Sequence, residues 1–193
     1  MLAHGAGSNS QAPLLVALAD AFAEAGWLVL RCDLPYRQSK RFGPPPPGAA
    51  KSDREGLKNA VAELRKLAPG KVYLGGHSYG GRQASMLLAE EPVADALLLL
   101  SYPLHPPKQP EKLRTAHFPT LRTPALFVQG TRDPFGSAEE LRPFLKLIAA
   151  PTMLIEIDGA GHDLGFGKSG RGSALGLPAQ VVATFQQFIR ANI

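Results

Sequence analysis

The chain has 193 residues, 45% of them hydrophobic, and a formal net charge of +5, which is enough apolar material for one sizeable core over residues 1–193. A lone cysteine excludes an internal disulfide framework, and no Cys/His spacing suits zinc, so neither a metal nor a cofactor is expected. No apolar run approaches membrane-spanning length and the amino end lacks the basic and long apolar segments of a signal peptide, so a cytoplasmic protein without membrane contact is expected.

In chain order, Met1-Leu2-Ala3 is a very short apolar run ending in the turn His4-Gly5-Ala6-Gly7. Ser10 and Pro13 open a helix in which Leu14, Leu18, Phe22 and Ala25 recur at helical spacing before Gly26. Trp27–Cys32 is predicted as a strand. Residues 34–51 surround the run Pro44-Pro45-Pro46-Pro47, which favours an extended polyproline segment. Ser52-Asp53-Arg54-Glu55 reads as a capping box, after which Leu57, Val61, Leu64 and Leu67 mark one helix face. Strands are predicted near 71–75, 96–100, 125–129 and 152–157. Ser137-Ala138-Glu139-Glu140 caps another helix with Leu141, Leu145 and Ile148 inward, and Pro178 begins a last helix burying Val181, Phe185 and Phe188 or Ile189. This alternation specifies an α/β fold, a mostly parallel doubly wound sheet of about six strands with helices on both faces.

Three segments carry chemistry. Gly76-His77-Ser78-Tyr79-Gly80 follows the apolar run Val72-Tyr73-Leu74 and precedes the helical stretch Gly81–Glu90. A G-x-S-x-G in a strand–turn–helix setting is a nucleophile elbow, with Ser78 pushed out at the apex. A serine hydroxyl needs a base, and the base needs an acid to fix its tautomer. Leu126-Phe127-Val128-Gln129-Gly130-Thr131-Arg132-Asp133 runs a strand into an aspartate, and Met153–Ile157 leads through Asp158-Gly159-Ala160-Gly161 to His162. Asp133 and His162 therefore follow successive strands in the order Ser, Asp, His, at the carboxyl ends where open α/β sheets place ligands. Asp158, at a strand end, and Asp163, adjacent to the histidine, are the rival acids. The His4-Gly5-Ala6-Gly7 turn is close to an oxyanion loop, so the amides of Ala6 and Tyr79 are the expected donors to a developing oxyanion.

On these motifs the chain resembles a small α/β-hydrolase of the dienelactone hydrolase-like group. It is especially similar to the bacterial subfamily with a proline-rich loop after Arg31-Cys32-Asp33-Leu34-Pro35-Tyr36, the stretch Tyr102-Pro103-Leu104-His105-Pro106-Pro107 and the run from Gln129 to Phe135. The resemblance implies hydrolysis of an ester or related acyl bond without a cofactor, as in a carboxylesterase. Position 78 is serine where dienelactone hydrolases proper use cysteine, so their substrate does not carry over. Two other readings stand beside it: a non-catalytic protein-binding module on a hydrolase scaffold, and an acyltransferase using the same triad. The fold normally has further strands before the oxyanion loop. Here only Met1-Leu2-Ala3 precede His4, so the amino-terminal edge strands are expected to be missing, whether because the chain is cut, because its start lies upstream or because the sheet has lost its first edge. Trp27–Cys32 would then be an edge that invites pairing with a second copy.

The connections after the strands should form the substrate pocket. Residues 34–51 carry Arg37, Lys40, Arg41 and Lys51. The 102–123 connection carries Lys108, Lys112, Arg114 and Arg122 against Glu111 alone, and Lys168 and Arg171 follow His162. The 102–123 connection is too short for a large lid and is expected to be a flap. A basic mouth would draw an anionic acyl substrate, although cations that simply solvate loops are the preferred reading. Nothing resembles a stacking series or a recognition helix, so nucleic acid is not an expected partner. His105 and His117 read as loop histidines, and Cys32 as an inert thiol.

Overall fold

The computed structural model describes residues 1–167 and 176–193. Lys168 and Arg171 lie outside the described residues. The elements are β1 (Leu2–Ala3), α1 (Pro13–Glu24), β2 (Arg31–Cys32), α2 (Pro35–Ser39), α3 (Ala49–Leu67), β3 (Tyr73–His77), α4 (Tyr79–Glu90), β4 (Ala96–Leu100), β5 (Ala125–Gly130), α5 (Ala138–Leu141), β6 (Thr152–Ile157) and α6 (Leu177–Asn192). The strands form one parallel sheet in the order β2-β1-β3-β4-β5-β6.

The apolar runs of β4 and β5 are buried on both faces, which is what a doubly covered parallel sheet demands. Alternate residues go to opposite sides. Leu97, Leu99 and Phe127 join Leu57, Val61, Leu87 and Leu88 beneath α3 and α4. Ala96, Leu98, Leu100, Leu126 and Val128 join Leu15, Leu18, Phe22, Val181 and Phe185 beneath α1 and α6. The helical stripes read from the sequence thus form the two cores, except at their last positions: Ala25 lies past the end of α1 and is exposed, and Leu67 is 75% exposed at the end of α3. No helix among the described residues is long and apolar enough to cross a membrane.

Four local expectations are corrected. The predicted strand Trp27–Cys32 forms only at Arg31–Cys32, because its neighbour β1 supplies two residues, pairing Leu2 with Arg31 and Ala3 with Cys32. Leu28 is left 57% exposed on that edge. Second, Ser52 to Glu55 is no capping box: α3 already starts at Ala49, Ser52 Oγ donates back to the Ala49 carbonyl, and Asp53 is fully buried. Third, the proline-rich connection opens with the short helix α2 instead of running extended throughout. Last, the 102–123 connection is no flap, since Tyr102, Leu104, Phe118 and Leu121 are buried in the core and the rings of Tyr102 and Phe118 stand 5.3 Å apart.

The Ser137–Glu140 capping box is present, but Pro143 ends the α-helix at Leu141, and the chain continues as a 3-10 turn over Arg142–Leu147.

Candidate active site

Ser78 sits between β3 and α4 with φ 52° and ψ −116°, a conformation a side chain adopts only under constraint. Its amide donates to the Leu100 carbonyl at 2.8 Å, tying the elbow to β4. The constraint is packing. A Cβ on Gly80 would stand 2.5 Å from the His4 carbonyl oxygen, and one on Gly76 2.6 Å from the Gly81 nitrogen. Only glycine at both positions lets α4 lie this close to β1 and β3.

The loop after β6 brings His162 to Ser78, with Nε2 2.8 Å from Oγ. Its Nδ1 lies 2.8 and 3.0 Å from the two carboxylate oxygens of Asp133. A carboxylate only accepts, so Nδ1 carries the proton and Nε2 is the acceptor for the Ser78 hydroxyl. The ring is packed against Phe135, with centroids 4.3 Å apart and planes 32° apart. Asp133 is 4% exposed and also accepts from the Phe135 amide at 2.8 Å and from Gln129 Nε2 at 3.2 Å. Asp158 instead accepts from Thr131 Oγ1, and Asp163 from the Gly165 amide, so neither rival carboxylate holds His162.

The amino-terminal loop is fixed by its carbonyls. The Gly5 carbonyl accepts from the Ser8 amide at 3.1 Å, from the Tyr36 hydroxyl at 3.3 Å and from His4 Nδ1 at 2.8 Å. In a trans peptide the N–H points opposite to the C=O, so the Ala6 amide is turned away from the partners of the Gly5 carbonyl. The Ala6 carbonyl is held in turn by the Tyr36 hydroxyl at 2.6 Å and by Arg37 Nη2 at 3.3 Å. Tyr79 is the first residue of α4, where a helix amide has no intrahelical acceptor.

The pocket over Ser78 has a volume of about 340 Å³. Ala6, Leu14, Phe135 and Phe166 give it apolar walls, and His77 and Asp163 add polar edges. No Lys or Arg among the described residues lines it. Arg37, expected at a basic mouth, is 6% exposed and spends its guanidinium on the carbonyls of Ala6, Ser8, Lys40 and Gly43. A second cavity of about 130 Å³ lies at the opposite end of β1, lined by Met1, Trp27, Leu28 and Tyr73, away from this chemistry.

Several further buried side chains surround the site. His4 is fully buried; its Nε2 accepts from the Leu34 amide at 3.1 Å, and burial pulls its pKa below the ordinary imidazole value. His77 donates Nε2–H to the His162 carbonyl at 2.7 Å, and burial, then the nearby His162, lowers its pKa to about 4, so it is neutral. Gln129 is fully buried and cross-links Tyr102, Asp133 and Gly136. Asp53 accepts from the Tyr36 amide and, at 2.7 Å, from the Tyr79 hydroxyl. Cys32 is half-buried, and burial raises its thiol to about 11, so it stays protonated near neutrality.

A parallel α/β sheet with a serine elbow at one strand end, and histidine- and aspartate-bearing loops at two others, is the architecture of a hydrolase. Over residues 1–190 the chain matches the alpha/beta hydrolase domain family, and it belongs to that family. Among solved structures it is similar to an alpha-beta serine hydrolase homologue from Coxiella burnetii, at 18% identity and TM-score 0.73, over 95% of this chain and 83% of that one. Est1E from Butyrivibrio proteoclasticus, solved with ferulic acid bound, matches at 19% identity and TM-score 0.72, over 98% and 88%. A dienelactone hydrolase from Anabaena variabilis matches at 21% identity and TM-score 0.70, over 100% and 85%. At these identities the likeness bears on the fold.

Proposed function

We propose that this protein is a serine hydrolase of carboxylic esters acting through an acyl-enzyme. One observation carries the reading: the unbroken hydrogen-bonded line from Ser78 Oγ through His162 to Asp133, each step about 2.8 Å. Ser78 Oγ attacks the acyl carbon as its proton passes to His162 Nε2. The imidazolium is stabilised by Asp133 and returns that proton to the departing alcohol. Water, deprotonated by the same nitrogen, then attacks the acyl-enzyme and releases the acid and Ser78. The amides of Ala6 and Tyr79 receive the oxyanion in both steps, preorganised by the clamped Gly5 and Ala6 carbonyls. The apolar walls, Phe135 and Phe166 among them, suit an uncharged acyl group better than an anionic one.

The test is labelling with a fluorophosphonate probe, using wild type and Ser78→Ala, alongside turnover of short-chain p-nitrophenyl esters. Labelling and turnover that both vanish in Ser78→Ala are expected. A well-folded wild-type protein that neither labels nor hydrolyses any ester would refute the reading and leave a binding module on a hydrolase scaffold.

A further inference from the structure

Beyond Tyr79, α4 carries Arg82, Gln83 and Ser85 against α3 and the 114–118 segment. Arg54 of α3 donates Nη1–H to Gln83 Oε1 at 3.2 Å. The Ser85 hydroxyl meets His117 Nε2 at 2.8 Å. The Tyr102 hydroxyl donates to the Arg114 carbonyl at 2.6 Å, which anchors Arg114 beside the same place. Three guanidiniums and an imidazole thus gather where α3, α4 and this segment meet.

Two features of the gathering are unresolved within the chain. Gln83 is fully buried, yet its Nε2 has no acceptor among the described residues, and neither does the buried Nε of Arg82. Buried N–H groups are nearly always paired, by protein, water or a bound ion. The charges are also unbalanced. Glu90 serves Arg54 at 3.2 Å from an exposed position, and Asp53 is engaged by the Tyr36 amide and the Tyr79 hydroxyl. No carboxylate lies within ion-pair distance of Arg82 or Arg114 among the described residues. Burial first, and then the nearby Arg82, push the Arg114 guanidinium below its ordinary pKa. Burial, Arg82 and Arg54 together bring His117 down to about 4.

We propose that Arg82, Gln83, Arg114 and His117 form a binding site for a small oxyanion of the phosphate class, separate from the pocket over Ser78. An oxyanion there accepts from the two orphaned N–H groups and offsets the repulsion between the guanidiniums. Guanidinium is suited to this, because its planar fork matches oxyanion geometry. None of the four residues lines the Ser78 pocket, so the site does not depend on the esterase reading.

The experiment titrates the whole protein with inorganic phosphate and, in parallel, with glycerol phosphate, by calorimetry and thermal shift against chloride at matched ionic strength. Saturable binding of either is expected, weakened at least tenfold in Arg82→Gln and in Arg114→Gln and unchanged in Lys51→Gln, an exposed basic control on α3. Binding of glycerol phosphate assigns the site to a phosphorylated small molecule, and binding of inorganic phosphate alone assigns it to the free ion. A measurement on wild type alone guards against variants that fail to fold: the His117 imidazole, followed by NMR, should titrate at higher pH when phosphate is present. No saturable binding beyond chloride, equal binding in the two arginine variants, or an unmoved His117 titration would overturn the proposal and leave the orphaned donors to water.

Discussion

Gly130 ends β5 directly beneath the loop that carries His162, and replacing it by alanine tests whether the site depends on that approach. A Cβ at position 130 would lie 2.8 Å from the Ala160 carbonyl carbon, nearer still to its oxygen, and 2.9 Å from the Gly161 oxygen. Ordinary contact begins at 3.4 Å, so the 160–161 backbone must retreat by more than 0.6 Å. The obstacle is main chain on both sides, with no flexible side-chain end to swing away. His162 follows immediately, and its 2.8 Å contacts to Ser78 and Asp133 have no slack for such a shift. Misplacement on the order of 1 Å costs about a hundredfold in rate, and the overpacking itself costs about 1–3 kcal/mol. We expect Gly130→Ala to fold, to melt a few degrees lower, and to lose about two orders of magnitude in kcat on p-nitrophenyl acetate. Fluorophosphonate labelling should slow in proportion. A folded Gly130→Ala protein with a rate within threefold of wild type would show that the loop position is not what sets the chemistry.

Asp133→Asn should lower kcat by up to about ten-thousandfold by stabilising the wrong histidine tautomer, while Asp158→Asn stays near wild type in the same ester assay. The reverse ranking would reassign the acid. For stability against pH, His77 and His117 both fall from 6.5 to about 4 in the folded protein. The unfolded chain therefore binds more protons between those values, so these two rings cost no stability above pH 6.5 and an increasing amount as pH drops toward 4. Denaturant unfolding at pH 7 and pH 5 should differ by roughly 4 kcal/mol for the pair, and a flat profile would refute their burial as neutral rings. The Met1 amino group donates to the Tyr73 carbonyl at 2.8 Å and is lowered from 8.0 to about 6 by burial. Extending the chain before Met1 with four alternating Thr and Val residues converts that amine to an amide and lengthens β1. A gain of a few degrees in Tm at pH 7 is expected, and no gain would mean that the edge beside Trp27 is already satisfied.

The sheet and the candidate triad were legible because each rests on local pattern. The run Ala96–Leu100 reads as a buried strand, and β4 has those bounds. The elbow glycines, and the Asp and His that follow strands, are spaced by the fold's own connections. What stayed hidden depends on tertiary contact. Ser52–Glu55 has the letters of a capping box, yet Asp53 is used as a buried acceptor for two tyrosines from other elements. Arg37 looked like a surface cation among basic neighbours, and only the folded loop shows four carbonyls converging on it. His4 and Gln129 likewise act through partners dozens of positions away or across a strand end. The abbreviated β2 was hidden for a related reason: a strand is as long as its neighbour permits, and the neighbour is β1.

Ser78 and His162 are 84 positions apart and ride on strands separated by two others in the sheet. A chain in which β6 had not yet paired with β5 would lack the loop that brings His162 to Ser78, and its serine would have no base. Spectroscopic signals and ester turnover should therefore separate in time during refolding, with turnover arriving last. On the proposed function, ester turnover is then a readout of completed assembly, and a partially ordered chain stays chemically silent.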